Sequence, residues 1–180
     1  MSEIKSHQQH ESQDDAVLNQ HKITQVHSFF FIGIQSEIHY HEAQNNITAL
    51  WDRFTAERVF HRIKNKTHSH AKVVYTKFQP DRYMMTIGYP VADCNSVPEG
   101  MVAEELPDEL FMRFVVKNNT EHIHLVQLYN DLSGIHPEYW NSETYHFEEW
   151  SPEALAYDDD SVVHVYISGS ENRLTEALSE

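Results

Sequence analysis

The sequence predicts an α+β domain of two β-α-β-β units related by a pseudo-twofold axis, with a mainly antiparallel sheet. Two observations carry this expectation. Short β-branched and aromatic runs alternate with stretches of helical spacing, in the same order twice. A seven-residue phrase also recurs, with Tyr75-Thr76-Lys77-Phe78-Gln79-Pro80-Asp81 matching Phe147-Glu148-Glu149-Trp150-Ser151-Pro152-Glu153 at a shift of 72.

The elements follow in order. Val26–Ile38, with Phe29, Phe30, Phe31, Ile32 and Ile34, reads as a strand. Asn45 and Asn46 offer cap chemistry for a helix whose apolar face is Ile47, Leu50, Trp51 and Phe54. Lys72–Gln79 and Tyr83–Val91 then form strands joined by a turn at Pro80-Asp81. In the second unit a short lead-in strand, Met101–Leu106, precedes the strand Leu110–Val116. A helix over Glu121–Leu132 and the strands Tyr145–Trp150 and Val162–Ile167 complete it. The folded region is thus 26–168, in halves of about 26–92 and 101–168. A polar N-terminal tail (1–25) and a C-terminal tail (169–180), with a short helix possible through Leu174 and Leu178, flank it.

Composition excludes several classes of partner. Thirteen Lys and Arg against 28 Asp and Glu give a formal charge of −15, which repels nucleic-acid phosphate and anionic lipid and attracts cations. The runs Glu104-Glu105 and Asp158-Asp159-Asp160 read as solvated loop charge. The single Cys94 forms no internal disulfide, and no apolar leader or span is present, so a cytoplasmic protein is expected.

Strand alternation sorts the faces. Val163, Val165 and Ile167 point away from His164 and Tyr166, and Tyr145 and Phe147 away from His146, Glu148 and Trp150. With both helices on the aliphatic side, the other side is expected to gather Glu148, Trp150, His146 and Tyr166. By the repeat, Phe78 and Thr76 join them. An aromatic face with one carboxylate and no helix over it reads as a ligand cleft or an interface.

The order and phrases resemble the GyrI-like, or AraC-type, effector-binding domain. The likeness rests on Leu50-Trp51 in the first helix, Val74-Tyr75-Thr76-Lys77-Phe78, Thr86-Ile87-Gly88, Phe111–Phe114, Phe147-Glu148-Glu149-Trp150 and Val163–Ile167, and covers roughly 26–168. Val73 stands where that family usually has glycine, and a stand-alone member without an attached DNA-binding domain, similar to integron-cassette ones, is expected. The resemblance implies a ligand cleft between two halves and assigns Glu148 to the cationic part of a small molecule.

The chemistry suits that role. A carboxylate under apolar walls is costly until a cation compensates it. Aromatic walls add roughly 0.5–2 kcal/mol per cation–π contact. The expected lining is Glu148, Trp150, Tyr166, Phe78, Tyr89 and Phe114, with Tyr75 and Trp51 as neighbours whose spacing also fits plain core packing. Met84, Met85 and Met112 would let the site repack. The expected ligand is a cationic aromatic or amphipathic small molecule, with no cofactor, nucleic acid or membrane partner.

Other constellations carry less. The pairs His39/His41, His68/His70 and His122/His124 lack a converging third ligand, so no defined metal site is expected. No nucleophile elbow or phosphate loop exists among five glycines. Two alternatives remain open: hydrolysis of reactive small molecules with Glu148 as general base, and an acidic module that binds or inhibits another protein, as some GyrI-like proteins are thought to do with gyrase.

Overall fold

The computed structural model describes residues 22–117, 144–156, 158 and 161–168. Eight antiparallel strands form one sheet: β1 Lys22–Val26, β2 Phe29–His39, β3 Ala71–Thr76, β4 Arg82–Val91, β5 Val102–Leu106, β6 Glu109–Lys117, β7 His146–Trp150 and β8 Val162–Ser168. Their order is β1-β6-β8-β7-β3-β4-β2-β5. Three α-helices are described: α1 Ala43–Ala56, α2 Val59–Arg62 and α3 Pro152–Leu155. The α+β class and the antiparallel sheet are as expected. The helix expected over Glu121–Leu132 lies outside the described residues.

Local departures from expectation have simple causes. The strand expected from Val26 is two arms, and β1 begins at Lys22, inside the stretch read as a tail. Asn46 does not cap α1, which starts at Ala43; its Oδ1 instead accepts from the backbone N–H of His39 at 3.1 Å, closing the end of β2. The apolar face of α1 is as read, with Leu50 and Phe54 buried and Ile47 and Trp51 packed against the same core.

The two ends of the sheet are tied together. β1 pairs with β6 from Lys22↔Arg113 to Val26↔Glu109, and β2 pairs with β5 from Phe29↔Leu106 to Gly33↔Val102. These are one continuous register with a two-residue gap on each chain, where Pro107 has no N–H to give. Ser28 N–H donates to the Asp108 carboxylate there. β1–β2 and β5–β6 are therefore two long strands forming one bent ribbon, and the rest of the sheet hangs from its arms. Bending brings distant strands close: the Phe29 ring on β2 lies 6.1 Å from Phe147 on β7. Three strand spacings of about 4.8 Å separate those strands along the sheet. The face carrying Phe29 and Phe147 is thus the inner one.

Each face has its own core. The outer face packs Val73, Ile87, Trp150, Val163 and Val165 with Leu50 and Phe54 of α1. The inner face buries Phe31, Val74, Phe111, Phe147 and Tyr166 against one another. Gly33 and Gly88 face each other there, and a Cβ on Gly88 would stand 2.0 Å from the Ile32 carbonyl oxygen, so only glycine allows this approach.

Candidate functional site

Register decides where Glu148 points. Residues directly opposite in an antiparallel pair share a face. Glu148 lies opposite Val73 on β3 and Val165 on β8, whereas Phe147 lies opposite Val74 and Tyr166. Glu148 therefore sits on the outer face with the aliphatic residues and α1, and the expectation of a helix-free carboxylate face is overturned. The alternation within each strand was right, but the strands join one residue out of the assumed phase. On the face opposite α1, Phe31, Phe111, Phe147 and Tyr166 pack against one another.

Glu148 is buried, at 3 % exposure. The Tyr75 hydroxyl on β3 donates to its Oε1 at 2.7 Å, and the Trp150 indole N–H on β7 donates to its Oε2 at 2.7 Å. Trp51 of α1 meets Trp150 edge-on at 5.4 Å, and Phe54 meets Trp51 at 5.6 Å. Tyr83 borders the group through Tyr75, at 5.9 Å between rings. Burial first, then Tyr40 and Glu148, push the Tyr83 hydroxyl far above its ordinary range, so it stays protonated. Burial alone raises Tyr89 to about 12.

The other expected residues divide. Phe78 reaches the outer face, 5.2 Å from His146 and 5.9 Å from Tyr83, because Lys77 takes a left-handed conformation (φ 54°) that ends the alternation of β3. Phe114 lies opposite Val165 and so shares the face of Glu148. Tyr89 is one ring further away, stacked on Phe54 at 6.1 Å. Tyr166 and Thr76 are on the inner face, and neither faces Glu148. An even shift of 72 therefore misaligns the repeat, since it would put Thr76 on the face of Glu148. His146 is fully buried, and its Nδ1 accepts from the Ser168 backbone N–H at 3.0 Å. Met85 and Met112 are buried in the outer core, and Met84 lies opposite Thr76, on the inner side.

Sequence reasoning missed the inner counterpart of this site. Glu149, the next residue of β7, points inward and pairs with Lys72 at 2.7 Å. The Lys72 ammonium lies 4.4 Å from the Phe147 ring centre, 5.3 Å from Phe29 and 5.8 Å from Tyr166. Burial would raise the Glu149 carboxyl, but Lys72 and His70 outweigh it and hold the group at about 2. Burial lowers Lys72 despite Glu149; at 2.7 Å the pair is ionised. The signal available was a lysine inside the apolar run Ala71–Tyr75. A cavity of about 330 Å³, lined by His70, Glu149, Ser151, Glu153 and His164 among others, opens beside Glu149. Among the described residues no group of three or more His, Cys, Asp or Glu could hold a metal ion, and no helix is long and apolar enough to cross a membrane.

A family model described as Cass2, integron-associated effector binding protein, matches residues 22–168. The chain belongs to that family. This effector-binding protein is therefore a small-molecule-binding protein, as the resemblance implied. Its fold is that of several solved structures. SAV2435 bound to tetraphenylphosphonium superposes with a TM-score of 0.71 at 12 % identity, covering 86 % of this chain and 96 % of that one. An integron cassette protein from the mobile metagenome of Vibrio cholerae gives 0.59 at 14 % identity over 82 % and 94 %. The EcmrR C-terminal domain gives 0.56 at 9 % identity over 83 % and 96 %. No curated protein matches the sequence.

Proposed function

We propose that this protein captures a lipophilic organic cation at Glu148, between the outer face of the sheet and α1. The observation that carries the reading is a buried carboxylate held by two aromatic donors, Tyr75 and Trp150, beside Trp51. Burial makes an ionised carboxylate costly, and an incoming cation offsets that cost. Aromatic walls reward a flat or greasy cation without demanding one shape. The tetraphenylphosphonium bound to SAV2435 is a molecule of that class. Both carboxylate oxygens already accept hydrogen bonds, which suits holding a charge better than abstracting a proton. Phe78, Phe114 and Tyr89 belong to the surrounding wall, and Tyr166 leaves the set. The single cysteine and the acidic surface fit action in the cytoplasm.

Tryptophan fluorescence titration with tetraphenylphosphonium tests the reading, because Trp150 bonds Glu148 and Trp51 packs on Trp150. Saturable binding is expected in the wild type, weakened about tenfold or more in Glu148→Gln, which keeps shape and removes charge. Equal affinity in the two proteins would remove Glu148 from the role.

A further inference from the structure

Tyr75 and Glu148 belong to different strands, and their bond crosses a seam of five residue pairs between β3 and β7. Those pairs run from Ala71↔Trp150 to Tyr75↔His146. On the outer side the seam carries the Tyr75–Glu148 bond. On the inner side, in direct register, it carries the ion pair of Lys72 with Glu149. No other ion pair described in the structure links β3 to β7 with both side chains less than a fifth exposed, at 11 % and 19 %. Phe147, the residue before Glu148, has its ring 4.4 Å from the ammonium, so Lys72 grips β7 at the two residues that flank Glu148. His70 Nδ1 lies 3.4 Å from Glu149 Oε1 and His164 Nδ1 3.8 Å from the same atom, bracing that carboxylate from β8 and from the residue before β3.

We infer that the Lys72–Glu149 pair is a positioning device for the ligand carboxylate: it fixes the β3–β7 seam from the inner side, so that Tyr75 meets Glu148 on the outer side. The inference rests on the reading of Glu148 as the cation-binding group. Its physical basis is that a β-strand transmits position stiffly between adjacent residues. A direct cross-strand ion pair flanked by aromatic rings resists shear of the seam, and a hydroxyl–carboxylate bond of 2.7 Å is sensitive to shear. Glu149 touches no ligand in this scheme, and its effect on binding passes through the Tyr75 hydroxyl.

That route makes the test specific. Tetraphenylphosphonium affinity is measured for the wild type, Glu149→Gln, Tyr75→Phe and the double variant. Glu149→Gln is expected to weaken binding about fivefold in the wild-type background and hardly at all once Tyr75 is Phe, because coupled residues are non-additive. Wild-type affinity in Glu149→Gln, or the same factor lost in both backgrounds, overturns the inference while leaving the role of Glu148 standing. A ligand-free readout covers the case in which the wild type does not bind the probe. The Trp150 indole proton, bonded to Glu148, should exchange with solvent faster in Glu149→Gln, and unchanged exchange counts against the inference. If Glu149→Gln does not fold, Lys72→Met combined with Glu149→Gln leaves no unpaired buried charge and carries the same expectations.

Discussion

Glu148 and Glu149 are neighbours on one strand, and the fold gives them opposite lives. Glu149 turns inward to a lysine of its own chain, inside a box made by Phe29, Phe147 and Tyr166. Glu148 turns outward to two neutral donors, a phenol and an indole. Both sites pair a carboxylate with aromatic rings, and the inner box is what an aromatic cation receptor looks like once it is filled. The outer one has the same ingredients, with hydrogen-bond donors where the inner one has an ammonium. The difference teaches that a carboxylate among aromatics is not by itself a ligand site. What separates the two is the donor each is seen to meet: an ammonium at Glu149, a phenol and an indole at Glu148.

The largest effect that could break this comparison is on stability. Glu149→Leu strands Lys72 as a buried charge, and unfolding in urea should show a loss of about 3 kcal/mol. Glu148→Leu takes the acceptor from two neutral donors, Tyr75 and Trp150, and the loss should be smaller. Equal losses in the two variants would mean that the inner and outer carboxylates do the same work. The affinity order should be reversed, since Glu148→Gln is expected to cost more binding than Glu149→Gln.

Much of this was legible before any coordinates, and what failed did so for one physical reason. Periodicity located the seven strands read from the sequence that lie within the described residues, and the apolar face of α1 at Leu50 and Phe54. Alternation placed Glu148, Trp150 and His146 on one face correctly. It could not say which face of β8 joins them, because register between strands distant in sequence is set by tertiary packing and a one-residue slip exchanges the faces. That slip is why Tyr166 entered the expected site and why a helix-free cleft was expected. Tyr75, read as a neighbour of the site, turns out to hold the carboxylate directly. Phe78 reached the right face for a reason invisible to alternation, the left-handed turn at Lys77. Lys72 and the aromatic rings around it gave no signal beyond a charge in an apolar run.

Acid sharpens the comparison at intermediate size. The folded-state pKa of Glu149 is held at about 2, below the ordinary value of 4.5, so its stabilising contribution is complete above about pH 4.5. It is lost progressively as pH falls from there through 2. The stability difference between wild type and Glu149→Gln should therefore be full at pH 7, still substantial at pH 3.5, and nearly gone at pH 2. Urea unfolding of both proteins at the three values checks this. A difference that disappears by pH 4 would show that the inner pair does not hold the carboxylate as tightly as its geometry implies.

The smallest effects separate the two faces most cleanly, because they change one hydroxyl each. Tyr75→Phe removes the donor to Glu148 Oε1 and should weaken tetraphenylphosphonium binding about fivefold, the scale of a typical net hydrogen bond. Tyr166→Phe removes a hydroxyl on the inner face, where the ring stacks on Phe147 at 4.2 Å and remains after the change. Its affinity should stay within about twofold of wild type, since additivity leaves uncoupled sites unaffected. The two substitutions are chemically identical, so any difference between them reports only which face of the sheet the cation uses. Equal weakening by both would put ligand on the inner side as well, and the filled box around Lys72 would then have to open to admit it.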